Sequence, residues 1–256
     1  MKRLVIKVGS AVLTQDGTLA LERLANLVEF IAQLKTQKNY EVILVSSGAV
    51  AAGYTLCQLD KSSLGNTQAL ASLGQPLLME TYRKKFAKYD MLCAQVLLEA
   101  SDLRHEETLH NTKVTITQLL NNGIIPIINE NDVTAIDELV FGDNDQLSAH
   151  VTYHFGANML VILTDILGYY DSNPKTNVDA KLIKTISHLS QEELSQSDSA
   201  NDTFATGGIV TKLKAGDYLL KKNIPMYLSS GFDLQFAKEY LLHDNHLGGT
   251  VFKINK

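Results

Sequence analysis

Two polar clusters are the residues of this chain best suited to chemistry. The apolar run Ile124-Ile125-Pro126-Ile127-Ile128 ends in Asn129-Glu130-Asn131-Asp132, and Gly142-Asp143-Asn144-Asp145 follows after a short excursion. An apolar run that delivers acids and amides suits a buried parallel strand whose carboxyl end faces a ligand crevice. Asn, Asp and Gly also dominate ordinary turns for conformational reasons, so either cluster alone is equally compatible with an acidic surface turn.

Three further stretches pair glycines with hydroxyls or a lysine. Lys7-Val8-Gly9-Ser10 can place an ammonium and backbone N–H groups against phosphate oxygens, because glycine permits close approach and a helix or turn N-terminus favours anions. Ser46-Ser47-Gly48 at a strand-to-helix turn reads either as an anion cradle or as tight helix–sheet packing. Thr206-Gly207-Gly208-Ile209-Val210-Thr211-Lys212, opening a helix, again suits phosphate contacts plus one cation. Leu163-Thr164-Asp165 closes another apolar run and leads into Gly168-Tyr169-Tyr170-Asp171. Two lysines, Lys7 and Lys212, are thus available beside phosphate-type turns. Phosphoryl transfer asks a protein for positive charge and in-line positioning, with little covalent participation.

The elements that must position these residues alternate along the chain. Strands are expected at Arg3–Val8, Glu41–Ser46, Met91–Leu97, Ile124–Ile128, Met159–Thr164 and Pro225–Ser229, and helices at Leu19–Lys38, Gln75–Lys88, His105–Asn122, Asp145–Phe155 and Val210–Lys222. Strands separated by helices imply crossover connections and a mostly parallel sheet covered on both faces. The Ser-, Asp- and Asn-rich stretch Gln191–Ala205 reads as a loop or lid.

Composition narrows the class. The 256 residues are 45% hydrophobic and 20% charged with net charge −5, so a general nucleic-acid binder is not expected. Arg83-Lys84-Lys85, the densest basic run, reads as a solvated helix face. No stretch approaches the eighteen or so apolar residues of a spanning helix, and the N-terminal apolar run is too short for a signal peptide. Cys57 and Cys93 lack metal or redox spacing and read as free thiols, so the expected location is the cytoplasm, with no membrane partner. His150 and His154 stand four apart on a helix, but no zincin pattern accompanies them and amphipathic packing is the reading, with no metal ligands assigned.

Taken in order, Lys7-x-Gly-Ser, Ser46-Ser47-Gly-Ala, Asn129-Glu-Asn-Asp, Gly142-Asp-Asn-Asp, Leu163-Thr-Asp and Thr206-Gly-Gly-x-x-Thr-Lys212 resemble the amino acid kinase family over nearly the whole chain. Within it they are most similar to the branch that phosphorylates the side-chain carboxylate of L-glutamate, the first step of proline biosynthesis. Ala71-Ser72-Leu73-Gly74-Gln75 resembles a Gly-Gln turn of that branch. The resemblance implies an α/β fold, a three-layer α/β/α sandwich around a mostly parallel sheet. One domain would span residues 1–256, with an amino-acid lobe at 1–155 and a nucleotide lobe at 156–256. It implies ATP as co-substrate and Mg²⁺ held mainly by ATP phosphates. Lys7 and Lys212 would neutralise the transferring phosphoryl and Asp145 would orient them. Ser47, Asp132 and Asn144, assisted by Asn129 and Asp143, would hold glutamate. Lys7, Gly9, Ser10, Thr164, Asp165, Tyr170 and the run Thr206, Gly207, Gly208, Ile209, Val210, Thr211, Lys212 would hold ATP. A homo-dimer or tetramer, feedback inhibition by proline and hand-over of a labile acyl phosphate to the next enzyme are further expectations of the resemblance.

Three departures stand out. Many bacterial members of that branch carry a further C-terminal domain of RNA-binding type, whereas this sequence reads as a short form ending at Lys256. Phe204-Ala205 and Ile209 replace the usual Gly and Met, and Asn66-Thr67-Gln68-Ala69 lacks a basic residue often found before the Gln. Rival readings are a family member acting on aspartate, N-acetylglutamate, carbamate or a nucleoside monophosphate, and a catalytically silent effector-binding protein on the same fold. A Rossmann dehydrogenase is disfavoured, since Gly-x-Gly-x-x-Gly is missing after the first strand, as is a Walker P-loop.

Overall fold

The first strand, β1 (Arg3–Val8), organises the layers. Side chains alternate across a strand, so Leu4, Ile6 and Val8 enter one apolar cluster and Val5 enters the other. Lys7 belongs to the Val5 row: a lysine stands in a buried position one residue before the strand ends. The structure is a computed structural model that describes residues 2–99, 101–134, 144–172, 174, 176–195 and 208–254. The expected site residues Asp143, Thr206 and Gly207, and residues 196–205 of the expected lid, lie outside the described residues.

After β1 come α1 (Ser10–Leu13), the hairpin β2 (Thr14–Gln15) and β3 (Thr18–Leu19), α2 (Leu21–Lys38), β4 (Glu41–Ser46), α3 (Ala49–Leu56) and α4 (Leu64–Phe86). Next are β5 (Cys93–Leu98), α5 (Glu106–Asn121), β6 (Ile125–Glu130), α6 (Asn144–His154) and β7 (Met159–Thr164). The remainder comprises β8 (Thr185–Ile186), α7 (Gln191–Ser195), α8 (Ile209–Leu220), β9 (Met226–Ser230), α9 (Gln235–Leu242) and β10 (Thr250–Phe252). One sheet runs in the order β5-β6-β4-β1-β7-β9-β10-β8. Its strands pair in parallel, save β10 against β9. Residues of α1 to α4 and α9 fill the cluster on one face, and residues of α5, α6 and α8 fill the other. This is the three-layer α/β/α sandwich that the resemblance implies, with the mostly parallel, doubly covered sheet that the alternation predicts. Because β1 is flanked by β4 and β7, the chain leaves it in one direction and later returns on the other side. Ligand crevices form at such a switch point, outside the carboxyl ends of the strands.

Several boundaries differ from those expected. The segment Ala71–Gln75 is not a turn: it lies inside α4, which starts at Leu64 rather than Gln75. Gly74 serves a different purpose there, since a Cβ on it would sit 1.8 Å from the Ala49 carbonyl oxygen, and one on Gly53 would sit 1.9 Å from the Leu70 oxygen. The two glycines let α3 and α4 touch backbone to backbone. The expected helix start at Leu19 is displaced by the hairpin, whose Asp16-Gly17 turn has φ of 51° and 80°. That Asp-Gly pair is a hairpin signal that reasoning from helical pattern passed over. The first residues of the expected lid, Gln191–Ser195, are helical. Arg83, Lys84 and Lys85 form the last turn of α4, with Arg83 and Lys84 paired to Glu80 on its surface. His150 stacks on Tyr218 with ring centroids 4.3 Å apart, and burial pushes its pKa down to about 4, as expected of a packed rather than a charged imidazole. Gly74→Ala should therefore lower the unfolding free energy by about 3 kcal/mol or more in a urea titration. A loss below about 1 kcal/mol would contradict backbone contact between α3 and α4.

Candidate functional site

The carboxyl ends of β1, β4, β6 and β7 converge with the first turns of α6 and α8. At their centre Asp145, fully buried in the first turn of α6, lies between two lysines. Lys7 Nζ is 2.6 Å from one carboxylate oxygen, and Lys212 Nζ donates to the other at 3.1 Å. Thr211 Oγ1 donates to the same oxygen as Lys212 at 2.9 Å. The side chain of Gln146 donates to the Thr211 carbonyl at 2.8 Å, clamping α8 to α6. A helix N-terminus suits a carboxylate, and α6 supplies one. The three charged side chains carry one positive charge in excess, held in a nearly dry place: Lys7 is 3% exposed and Lys212 5%. Burying charge without compensation costs several kcal/mol per ion. Such an arrangement is suited to an anion.

Beside it runs a chain of amides. Asn144, the neighbour of Asp145, donates from Nδ2 to Ser47 Oγ at 2.9 Å and to Asn129 Oδ1 at 3.1 Å. Asn129 in turn donates to Gln75 Oε1 at 3.1 Å. Burial drives the Asp132 pKa up to about 6, an effect the Asn129 side chain partly offsets. Gly48 turns the chain from β4 into α3 with φ of 106°, a conformation that favours glycine, and so presents Ser47. Among the described residues, Asn144 Oδ1 and Gln75 Nε2 are buried polar atoms with no protein partner. Such atoms call for an explanation. Asp132 and Gln75 also line a cavity of about 230 Å³ between α4 and the end of β6.

Sequence reasoning thus names residues that the fold brings together: Lys7, Asp145 and Lys212 in one cluster, and Ser47, Asn129, Asp132 and Asn144 in the adjoining one. It did not assign Gln75, although the Gly-Gln pair drew attention to the position. Two expected anion contacts are otherwise engaged. The Gly9 N–H donates to the Leu163 carbonyl at 3.0 Å, holding β1 to β7, so it is not free to meet a phosphate. Ser46 Oγ lies 2.8 Å from Tyr82 Oη and 2.8 Å from the Ser47 carbonyl, in the apolar layer rather than in the crevice. Ser10 is exposed at the start of α1. Thr164 ends β7 and donates to Asp165 at 2.9 Å. Gly208 precedes α8, Ile209 to Lys212 form its first turn, and Tyr170 bridges to Leu182 in the loop beyond β7. Among the described residues no three His, Cys, Asp or Glu side chains are grouped to hold a metal ion, and no helix is long and apolar enough to cross a membrane.

Comparison with known proteins agrees with this geometry. The sequence pattern of the amino acid kinase family matches residues 2–230. A protein of Leishmania donovani named glutamate 5-kinase is 52% identical over 252 residues, covering 98% of this chain and 95% of its own. One of Wolinella succinogenes with the same name is 52% identical over 256 residues, covering 98% of each. Among solved structures, carbamate kinase from Giardia lamblia bound to AMP-PNP superposes with a TM-score of 0.67 at 14% identity, covering 99% of both chains, which speaks to the fold alone.

Removing the shared carboxylate leaves two ammonium groups facing each other in the dry crevice. Asp145→Ala should therefore lower stability by about 3–5 kcal/mol, the usual penalty for breaking a buried pair. Chemical denaturation measures it, and a variant as stable as the parent would exclude a structural role for the shared carboxylate.

Proposed function

The chain belongs to the amino acid kinase family, and on that footing we propose that it transfers the γ-phosphoryl group of ATP to the side-chain carboxylate of L-glutamate, the first step of proline biosynthesis. Kinship with proteins named glutamate 5-kinase at 52% identity supports the substrate. The observation that carries the chemistry is the buried Lys7–Asp145–Lys212 cluster, with its excess positive charge, next to the Ser47, Asn129, Asn144 and Asp132 network.

A carboxylate is already a nucleophile near neutral pH, so this reaction needs no general base. One carboxylate oxygen of glutamate bonds to the γ-phosphorus as the bond to the bridging oxygen breaks and ADP leaves. Lys7 and Lys212 neutralise charge on the transferring group, and Asp145 fixes both ammonium groups in place. Asp132 and the orphan Oδ1 of Asn144 are acceptors suited to the α-ammonium of glutamate, with Ser47 and Asn129 bracing Asn144. Asp143 completes this set in the proposal, and Ser10, Thr164, Asp165, Tyr170 and the turn 206–212 hold the nucleotide, with Gly9 contributing close backbone approach rather than its N–H. The first half of the chain, 1–155, then carries the amino acid and the second, 156–256, the ATP.

Mg²⁺ fits this donor set as an ion carried by ATP phosphates and water. Both Asp145 oxygens are engaged by ammonium groups, and no cage of acids stands in the described residues. When bound, the ion supplies further neutralisation of the phosphate oxygens. Two free thiols, Cys57 and Cys93, accord with a reducing cytoplasm. Self-association, inhibition by proline and delivery of the acyl phosphate to a following enzyme belong to the same proposal and rest on kinship.

Trapping the acyl phosphate as hydroxamate tests the reading. Product should form with ATP, Mg²⁺ and L-glutamate, and not with aspartate or N-acetylglutamate; turnover of another acid instead would overturn the substrate. Lys212→Met should cut kcat by about 10²–10³-fold with a smaller effect on the glutamate KM. Intact kcat would exclude its role. Asp132 must be ionised to attract an ammonium, and its pKa stands at about 6. The glutamate KM should therefore climb as pH falls from about 7 to about 5, a window above the free γ-carboxyl pKa of about 4.3. Asp132→Asn should start from a high KM and lose that rise; a KM that stays flat in the parent would remove Asp132 from the site.

A further inference from the structure

Gln75 is the one member of the amide network that the proposed chemistry leaves without a task. It sits in mid-helix on α4, directly after Gly74, and the contact of Gly74 with α3 sets its position to the precision of backbone packing. Its amide has a defined direction. Asn144 Nδ2 donates to Asn129 Oδ1, so on its other side Asn129 presents its NH₂. That same NH₂ meets Gln75, which must answer with Oε1. The donor end of Gln75 is thereby turned away from the network. Nε2 is buried and finds no acceptor among the described protein groups.

Leaving a buried amide donor unsatisfied is costly, and Gln75 is one of the residues that line the cavity. Gln75 lines one wall with Ser72 and Pro76, and Glu130 and Asp132 line another at the end of β6. Resting on the glutamate reading above, we propose that Gln75 Nε2 donates to the α-carboxylate of the bound amino acid and makes the site selective for that group. The α-carboxylate and α-ammonium share one carbon, so their partners must face one small cavity from different walls. Asp132 repels a carboxylate and takes the ammonium; Gln75 offers the complementary donor. The side-chain carboxylate is then directed away, toward Lys7 and Lys212. A polar site of this kind discriminates well, because an analogue lacking the partner group leaves the buried donor unpaired.

The alternative is that Gln75 only braces Asn129, and Gln75→Glu separates the two. That substitution keeps an oxygen for Asn129 and replaces the donor by a second acceptor. L-isoglutamine, whose α-carboxyl is a primary amide and whose side-chain carboxylate is intact, serves as competing ligand. Gln75→Glu should raise the glutamate KM by roughly tenfold or more, with kcat within about threefold. The inhibition constant of L-isoglutamine should not rise in parallel, so the ratio of the two constants shifts by about tenfold toward the amide. An unchanged glutamate KM, or equal weakening of both ligands, would reduce Gln75 to a brace and overturn the proposal. Gln75→Met gives an independent check should the acid variant not fold. It should weaken glutamate about tenfold while leaving 4-aminobutyrate, which has no α-carboxylate, within about threefold; loss of both would again overturn it. The parent enzyme separates the levels: if it makes no glutamyl hydroxamate, the substrate reading fails, whereas glutamate turnover with an unaffected Gln75→Glu variant overturns only this inference.

Discussion

One carboxylate shared by two buried ammonium groups is the constraint on which the rest of this structure depends. Asp145 touches Lys7 from the central strand and Lys212 from α8. Its own helix, α6, is packed between that strand and α8, with Leu147, Ala149 and Val151 buried beneath. A buried ion pair is a poor source of stability, because desolvation consumes most of the attraction. Here the cluster holds a surplus of charge, which makes it worse as a structural device and better as an anion site. The thermodynamic burden is carried by the two apolar layers, which confine the lysines where water cannot screen them. In a low-dielectric crevice a preorganised cation acts more strongly on developing negative charge than it would in water.

The second constraint is polarity in the amide chain. Along it, Asn144 donates to Ser47 and to Asn129, and Asn129 donates to Gln75. Two atoms are left over at its ends, one acceptor on Asn144 and one donor on Gln75. An amino acid presents the opposite pair. Because Asn144 and Asp145 are consecutive, the proposed grip on the amino acid and the proposed phosphoryl-neutralising cluster are one residue apart.

Much of this was legible from residue order. Strands β1, β4 and β7 fall at the expected residues, because buried β-branched runs bounded by polar residues have few alternatives. The strand that carries Asn129 announces itself through Ile125 to Ile128, and near its carboxyl end Asn129 hydrogen-bonds Asn144 and Gln75. The pairing of Lys212 with Asp145, 67 residues apart, came from the resemblance alone, since no local pattern couples them. What stayed hidden has physical causes. The long α4 was cut short because Gly74 and Pro76 resemble punctuation, whereas burial against α3 overrides their low helix propensity. Strands of two or three residues such as β8 and β10 offer no periodicity to detect. Gly9 and Ser46 looked like phosphate contacts, yet the Gly9 N–H and the Ser46 hydroxyl are engaged by Leu163 and Tyr82, which only the assembled fold brings near.

The central claim is that the Lys7–Asp145–Lys212 cluster is built for the charge of a phosphoryl group in transit. Calorimetric titration with ADP and aluminium fluoride, which mimics that group, in the presence of Mg²⁺ and L-glutamate tests it most directly. The account predicts that the parent protein binds the mimic at least about 10²-fold more tightly than ADP alone, and that Lys7→Met loses this gain while keeping its affinity for ADP. Equal affinity for ADP with and without the mimic in the parent, or an undiminished gain in Lys7→Met, would contradict it.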